Sequence, residues 1–428
     1  MNHKLWLLCF PLCITACSNE IVEPIPPYSD QETLSNTKIR SVDEATNIAI
    51  NAYFDFYGVN SRSNNINVSN VKTIVNKHSR SNASDTLLYV VNFENDNGFA
   101  IISAKNEIMP ILAVVEKGNF DPQEKTDNPG FNMFLDHAIC FSSGGGFVPD
   151  PPVTPEKRIE FKIECDTIED SGSPLIKSQW GQEGFFAQEC PLQKYAGCSA
   201  VAAAQILGWG VKPESFQLTY PNRKNDILNN LDWDKLVKHF KTDICTNSDN
   251  AHFTLSQIFR QIGYSIGAVY SENGTSAYFD DLHSYLNRFN EITVGPITEF
   301  NIGPNQLYNY YKEGIIVKRG QTASNSNFNK DKDEAHVWIE DGFRYKHIST
   351  KYYEREEGES MWQLKDITTT VELYVHINWG WNSDYNGYFN WTTAAPKNAA
   401  FYDSMTFNTS TKKPYCYECK FFSVKINQ

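Results

Sequence analysis

Positive charge is scarce in this chain. Its 428 residues include 38 Lys and Arg against 51 Asp and Glu, a formal net charge of −13, and no basic run is long. Binding a phosphate backbone needs clustered Lys and Arg, so a nucleic-acid partner is not expected. Long apolar runs are also missing beyond the N-terminus, which argues against a membrane-spanning helix. No set of His, Cys and acidic residues has metal-ligand spacing. The lone Cys416-Tyr417-Glu418-Cys419 has no second pair of ligands and reads as a strand-end pair, open or closed as a disulfide, and not as a metal site. Neither metal nor cofactor is expected, and no internal repeat is visible. What the chain does have is 41% hydrophobic and 14% aromatic residues, enough for two or three domains with real cores.

The N-terminus has the form of an export signal. Lys4 precedes the apolar stretch Leu5 to Ile14, which is too short to span a bilayer. It ends Ile14-Thr15-Ala16-Cys17, which resembles a bacterial lipobox, in which the cysteine takes lipid and becomes the new N-terminus. An ordinary secretory signal cleaved nearby is the alternative. Residues 1–16 are thus expected to be a lipoprotein signal and 17–38 a polar tether. The expected address is the bacterial envelope, anchored to the outer membrane or cell surface, with release after processing left open. Cys9 and Cys13 leave with the signal and Cys17 is assigned to lipid. Cys140, Cys165, Cys190, Cys198, Cys245, Cys416 and Cys419 remain, an odd number that leaves at least one free thiol in an oxidising compartment.

Residues 39–141 read as a small α+β domain. Ser41 and Glu44 fit a capping box, and Ala45, Ile48, Ala49, Ala52, Tyr53 and Phe56 fall on one helical face up to Gly58. Strands are expected at 71–75, 87–93, 99–103 and 111–115, with Asn97-Gly98 as a hairpin turn, and a helix at 131–141. Residues 142–172 have linker composition: Gly144-Gly145-Gly146, four prolines, then an acidic stretch. Residues 173–428 form a larger unit, helices first (254–262, 276–289, 307–312) and strands later (315–318, 336–339, 372–378, 387–391, 421–426), an α+β layout.

Chemistry-bearing residues gather in this second unit. Gly197 breaks the chain before Cys198, and Ser199 to Leu207 has high helix propensity, which puts Cys198 in a first helical turn. Unpaired N–H groups and the dipole favour a thiolate there. Alternation puts His336 and Trp338 on one face of a strand expected to end in an Asp341-Gly342 turn. Asn378, in His376-Ile377-Asn378-Trp379-Gly380-Trp381, could accept from an imidazole N–H, with Trp379 keeping water off the contact. The Gln182 amide, in Trp180-Gly181-Gln182, could donate to an oxyanion beside the Cys198 N–H. Taken singly, each has an ordinary structural explanation: a buried Cys, a packed strand His, an aromatic strand end.

Taken in order, these motifs resemble the streptopain family of papain-like cysteine peptidases: Trp-x-Gln, Gly-Cys opening an Ala-rich helix that carries Gln205, a strand His before Asp-Gly, and His-x-Asn-Trp-Gly-Trp. The front domain, with Leu88 to Phe93 and Gly98 to Ala104, resembles the family's inhibitory pro-domain. The resemblance implies a papain-like fold and a secreted endopeptidase made as a zymogen, with protein or peptide substrates and its own pro-domain as inhibitor. It implies Cys198 as nucleophile, His336 as general base and then acid, Gln182 and the Cys198 N–H as oxyanion hole, and Asn378 or Trp379 as the group that orients the imidazole. It further implies a substrate pocket near Ser276 and Ala335 with hydrophobic preference at the second substrate position.

The sequence departs from that pattern in three places. Ala335 replaces the usual Gly. The 33 residues between Gly342 and His376 include a charged stretch, 346–368, that reads as an exposed insertion able to cover or extend the cleft. Cys190, eight residues before Cys198, could trap the nucleophile as a disulfide. Two other functions fit the same scaffold: a catalytically degenerate surface binding protein, and an acyl transferase or other amidase.

Overall fold

The first helix shows how local signals set the elements. The Ser41 hydroxyl accepts from the Glu44 N–H at 3.1 Å, α1 (Val42–Tyr57) follows, and Gly58 stops it at φ 77°. Ala45, Ala49, Ala52, Tyr53 and Phe56 form its buried face. The computed structural model describes residues 39–58, 66–75, 86–124, 126–143, 159–219, 226–238, 251–299, 302–321, 335–356, 360–390 and 417–427. The signal, Cys17, the tether, Cys245 and Cys416 lie outside them, as do the side chains of Cys140 and Cys419.

After α1 come β1 (Val68–Val75), β2 (Thr86–Phe93), β3 (Phe99–Ser103), β4 (Ile111–Val115), α2 (Pro129–Ser142) and β5 (Ile159–Gly172). The second unit continues with α3 (Cys198–Ile206), β6 (Ser215–Leu218), β7 (Asp226–Asn229), α4 (Trp233–Val237), α5 (Ala251–Ser265), β8 (Val269–Ser271), β9 (Gly274–Ser276) and α6 (Phe279–Leu286). It closes with β10 (Ile292–Val294), β11 (Thr298–Glu299), α7 (Pro304–Glu313), β12 (Ile315–Gln321), β13 (Ala335–Glu356), β14 (Gln363–Asn378), β15 (Gly387–Asn390) and β16 (Tyr417–Ile426). The fold is α+β.

One antiparallel sheet runs through both units, in the order β1-β2-β3-β4-β15-β14-β13-β12-β16-β10. The junction is β4 against β15, with Ala113, Val114 and Val115 opposite Phe389, Tyr388 and Gly387. Strand alternation divides the packing. Val337 and Ile339 face a core made with α3, α5 and α6, whereas Trp338 joins a core on the other face that holds Phe131 of α2, Phe99, Val375, Trp379 and Phe389. A third core packs α1 on β2–β4 together with Tyr374 and Tyr388. The front domain and the second unit therefore share apolar interior, not only strand edges.

The structure corrects two expectations. Asp341-Gly342 is not a turn: β13 continues to Glu356, and the register against β14 slips between Glu340 and Gly342, leaving Asp341 as a bulge. Residues 159–172 do not behave as linker: they form β5, antiparallel to β13 from Phe343 to Glu356. Composition suggested an open segment, but the Glu169 and Asp166 carboxylates meet Lys346 and Lys351 of the neighbouring strand at 2.7 and 2.9 Å. The insertion at 346–368 is the distal part of β13 and β14, a ribbon that leaves Met361, Leu364 and Ile367 exposed.

Candidate active site

Cys198 is the first residue of α3, and Gly197 is its N-cap at φ 96°. A Cβ at Gly197 would stand 2.9 Å from the Thr275 side chain, so both the backbone angle and the space require glycine. The Cys198 thiol is part-buried and free, with the backbone N–H groups of Val337 and Ser199 acting on it electrostatically. Burial raises its pKa, and these N–H groups pull in the opposite direction. Val337 is the neighbour of His336, so packing β13 on α3 brings the backbone next to His336 to Cys198, while the imidazole lies on the Trp338 face of the strand.

His336 is 2% exposed and shares its strand face with Trp338, whose ring is nearly parallel to it with centroids 6.2 Å apart. Its Nε2 lies 2.9 Å from the Trp379 carbonyl oxygen. A carbonyl only accepts, so Nε2 carries the proton and Nδ1 keeps its lone pair. Burial lowers the imidazole pKa to about 4, the Trp379 carbonyl acting weakly the other way, so the ring is neutral at ordinary pH. A neutral ring with a bare Nδ1 is the form that can accept a thiol proton.

Asn378 does not hold the imidazole. Its Oδ1 accepts from Gln205 Nε2 and from the Gly380 N–H, both at 3.1 Å, and its Nδ2 donates to the Ser178 carbonyl at 3.0 Å. The amide instead ties α3 to the segment before it and to the Trp379 loop. The partner of the imidazole is the Trp379 main chain. That loop is fixed in turn: Trp379 N–H donates to Asn386 Oδ1, and its indole N–H to the Tyr385 carbonyl, both at 2.9 Å.

Gln182 is 6% exposed, and its Nε2 has no hydrogen-bond partner among the described residues. An orphaned buried donor is costly in a resting structure unless a ligand uses it. The Gln182 carbonyl accepts from the Ala196 N–H at 2.8 Å, which holds this segment beside the start of α3. Ser276 is the exposed last residue of β9, next to Thr275, whose hydroxyl donates to the Tyr195 carbonyl at 3.0 Å. Ala335 is exposed and opens β13 next to His336. Both flank the Cys198–His336 region. Cys190 is 3% exposed in the core and, like Cys198, a free thiol; burial pushes its pKa up to about 12.

Sequence reasoning missed two features of this region. Under Trp338, Glu340 Oε1 accepts from the indole N–H at 3.2 Å and lies 3.4 Å from Lys318 Nζ, while Tyr311 donates to Oε2 at 2.5 Å. Nothing in the sequence around Glu340 carried a sign of this. The second is the glycine contact by which the front domain, expected as inhibitor, reaches the imidazole. Gly130, in the first turn of α2, lies so near His336 and Trp379 that an added Cβ would stand 2.8 Å from imidazole Cδ2 and 2.4 Å from Trp379 Cε3. Phe131 stacks on Tyr385 at 4.4 Å, and Phe134 meets Phe389 edge-on at 4.7 Å.

Comparison with known proteins places these two regions. The Peptidase C10 family model matches residues 180–389, and the Spi protease inhibitor model matches residues 36–139. No curated protein matches the chain. Among solved structures it is similar to a fragment of prointerpain A from Prevotella intermedia, at 19% identity and a TM-score of 0.46, over 76% of this chain and 91% of that one. Behind an inhibitor-type pro-domain, the chain thus carries a Peptidase C10 domain of the streptopain family, a cysteine peptidase domain.

Proposed function

We propose that the chain is the zymogen of an exported, lipid-anchored cysteine endopeptidase. Cys198 attacks the peptide carbonyl, and His336 takes the thiol proton on Nδ1 and returns it to the leaving amine. Gln182 Nε2 and the Cys198 N–H receive the oxyanion. The Trp379 carbonyl, not Asn378, fixes the imidazole tautomer. Water then cleaves the acyl-enzyme by the same groups. Ser276 and Ala335 border the bound peptide, and Cys17 carries the lipid in the bacterial envelope.

The observation that carries this is the convergence at β13. The Val337 N–H lowers the pKa of the Cys198 thiol while the adjoining His336 is held neutral, with Nε2–H on a fixed carbonyl. Pro-domain α2 packs on the same imidazole through Gly130, which supports intramolecular inhibition. The test is mass spectrometry of the processed protein after an active-site-directed epoxide: one adduct is expected, on Cys198, with peptide hydrolysis lost in Cys198→Ala. Hydrolysis that survives that change refutes the assignment. Metabolic labelling with palmitate, lost in Cys17→Ala, tests the anchor.

A further inference from the structure

The bulge at Asp341 aims a carboxylate into the protein. Asp341 is 1% exposed, and its Oδ2 accepts from the Ile176 N–H at 2.8 Å. Its Oδ1 lies 2.6 Å from Nδ1 of His376, which is 4% exposed. On the far side of that ring, Nε2 lies 3.1 Å from Oε1 of Glu116. Glu116 is held towards its ionised form, and two carboxylates that only accept put protons on both nitrogens, so the ring is a buried imidazolium. Lys117 and Lys177 also face Glu116, and Arg344 faces the neighbouring Tyr388, whose ring stands edge-on to His376 at 5.2 Å.

Glu116 belongs to the pro-domain and is delivered by strand pairing. It directly follows β4, and its own N–H donates to the Asn386 carbonyl at 3.1 Å, one step beyond the β4–β15 ladder. Asn386 is the residue whose side chain holds the Trp379 N–H. Removing the pro-domain uncovers a strand edge and, at its end, a preformed imidazolium donor backed by a fixed Asp.

We propose that His376, with Asp341 behind it, is a carboxylate-binding site at the end of a sheet edge. Its ligand is the acidic side chain of an extended peptide segment that pairs with β15. Glu116 is its occupant in the precursor. In the processed enzyme, a segment of a substrate or partner protein with apolar residues followed by Asp or Glu takes the same place. Backbone pairing supplies affinity and the acid supplies register. Because Asn386 also holds Trp379, the occupant binds next to the loop that presents the Trp379 carbonyl to His336. Vacating the site rests on the zymogen proposal above; its preference for a carboxylate does not.

The carboxylate preference is tested in the full-length chain with formate as probe. Glu116→Ala opens the notch and lowers the thermal midpoint, and formate at constant ionic strength restores part of the loss. Wild type and Glu116→Gln, whose notch stays filled, show no such gain, nor does Glu116→Ala combined with His376→Gln. An equal formate response in all the variants overturns the site, whatever the enzyme's activity. The peptide preference is tested on the processed protein with a labelled peptide of residues 109–118. Glu116→Gln in that peptide is expected to weaken binding about tenfold or more, the size of a hydrogen bond to a charged group. Equal binding of the two peptides, or no binding of either, overturns that half.

Discussion

Gly130 of the pro-domain and His336 of the peptidase domain are in such close contact that one added methyl group on the glycine would stand 2.8 Å from the imidazole. The inhibitory helix thus rests on the candidate base itself, and the absence of a side chain lets it do so. Gly130→Ala should force α2 away from His336 and Trp379. Overpacking of this kind costs about 1–3 kcal/mol. The full-length variant should react faster than wild type with a thiol-directed epoxide at Cys198. Unchanged labelling, with a folded pro-domain, would show that α2 is not what limits access.

Gln182→Ala should separate binding from chemistry. An oxyanion donor acts in the transition state, so kcat is expected to fall by about 10²–10³ with KM little changed. Steady-state kinetics on the processed enzyme measure this. A rise in KM alone would assign Gln182 to substrate binding.

Asn378→Ala should act mainly on stability. It leaves Gln205 Nε2 and the Gly380 N–H without their shared acceptor, and the Ser178 carbonyl with only the long 3.5 Å bond from Gln205 Nε2. Leaving buried polar groups unpaired costs about 1–3 kcal/mol each. Chemical denaturation should show this loss, while the pH dependence of kcat/KM keeps its position because the Trp379 carbonyl still fixes the imidazole. A displaced pH profile in a stable variant would return the orienting role to Asn378.

The closed precursor should lose stability as pH rises. Burial alone would lower the His376 pKa, but Asp341 and Glu116 together outweigh it and raise the value to about 10. The unfolded imidazole titrates near ~6.5. A raised folded pKa gives stability that is complete below the unfolded value and disappears as pH climbs through the folded one, here from about 6.5 to about 10. Glu116 is shifted down: burial opposes this, but the His376 hydrogen bond and charge prevail. Its contribution is therefore lost at the acid end. Lys318, lowered to about 8 by burial, acts in the opposite sense in the alkaline range. The quantity to measure is thus the difference in urea midpoint between wild type and His376→Gln across pH. That difference should shrink from neutral to alkaline pH; a constant difference would contradict the cationic assignment.

The chain carries in its order of residues the two-domain plan, the helix that begins at Cys198, the strand alternation of His336 and Trp338, and most of the elements. These are local properties: capping, propensity and hydrophobic period act over a few residues. Asp-Gly looked like a turn and the acidic segment before Gly172 looked like linker, because neither sequence reveals the strand beside it. Only tertiary contact decided that Asp341 is a bulge aimed at His376, that the Trp379 carbonyl and not Asn378 meets the imidazole, and that Gly130 and Glu116 of the pro-domain settle on the peptidase domain. Each depends on register between strands far apart in sequence, where a shift of one residue turns every side chain to the opposite face.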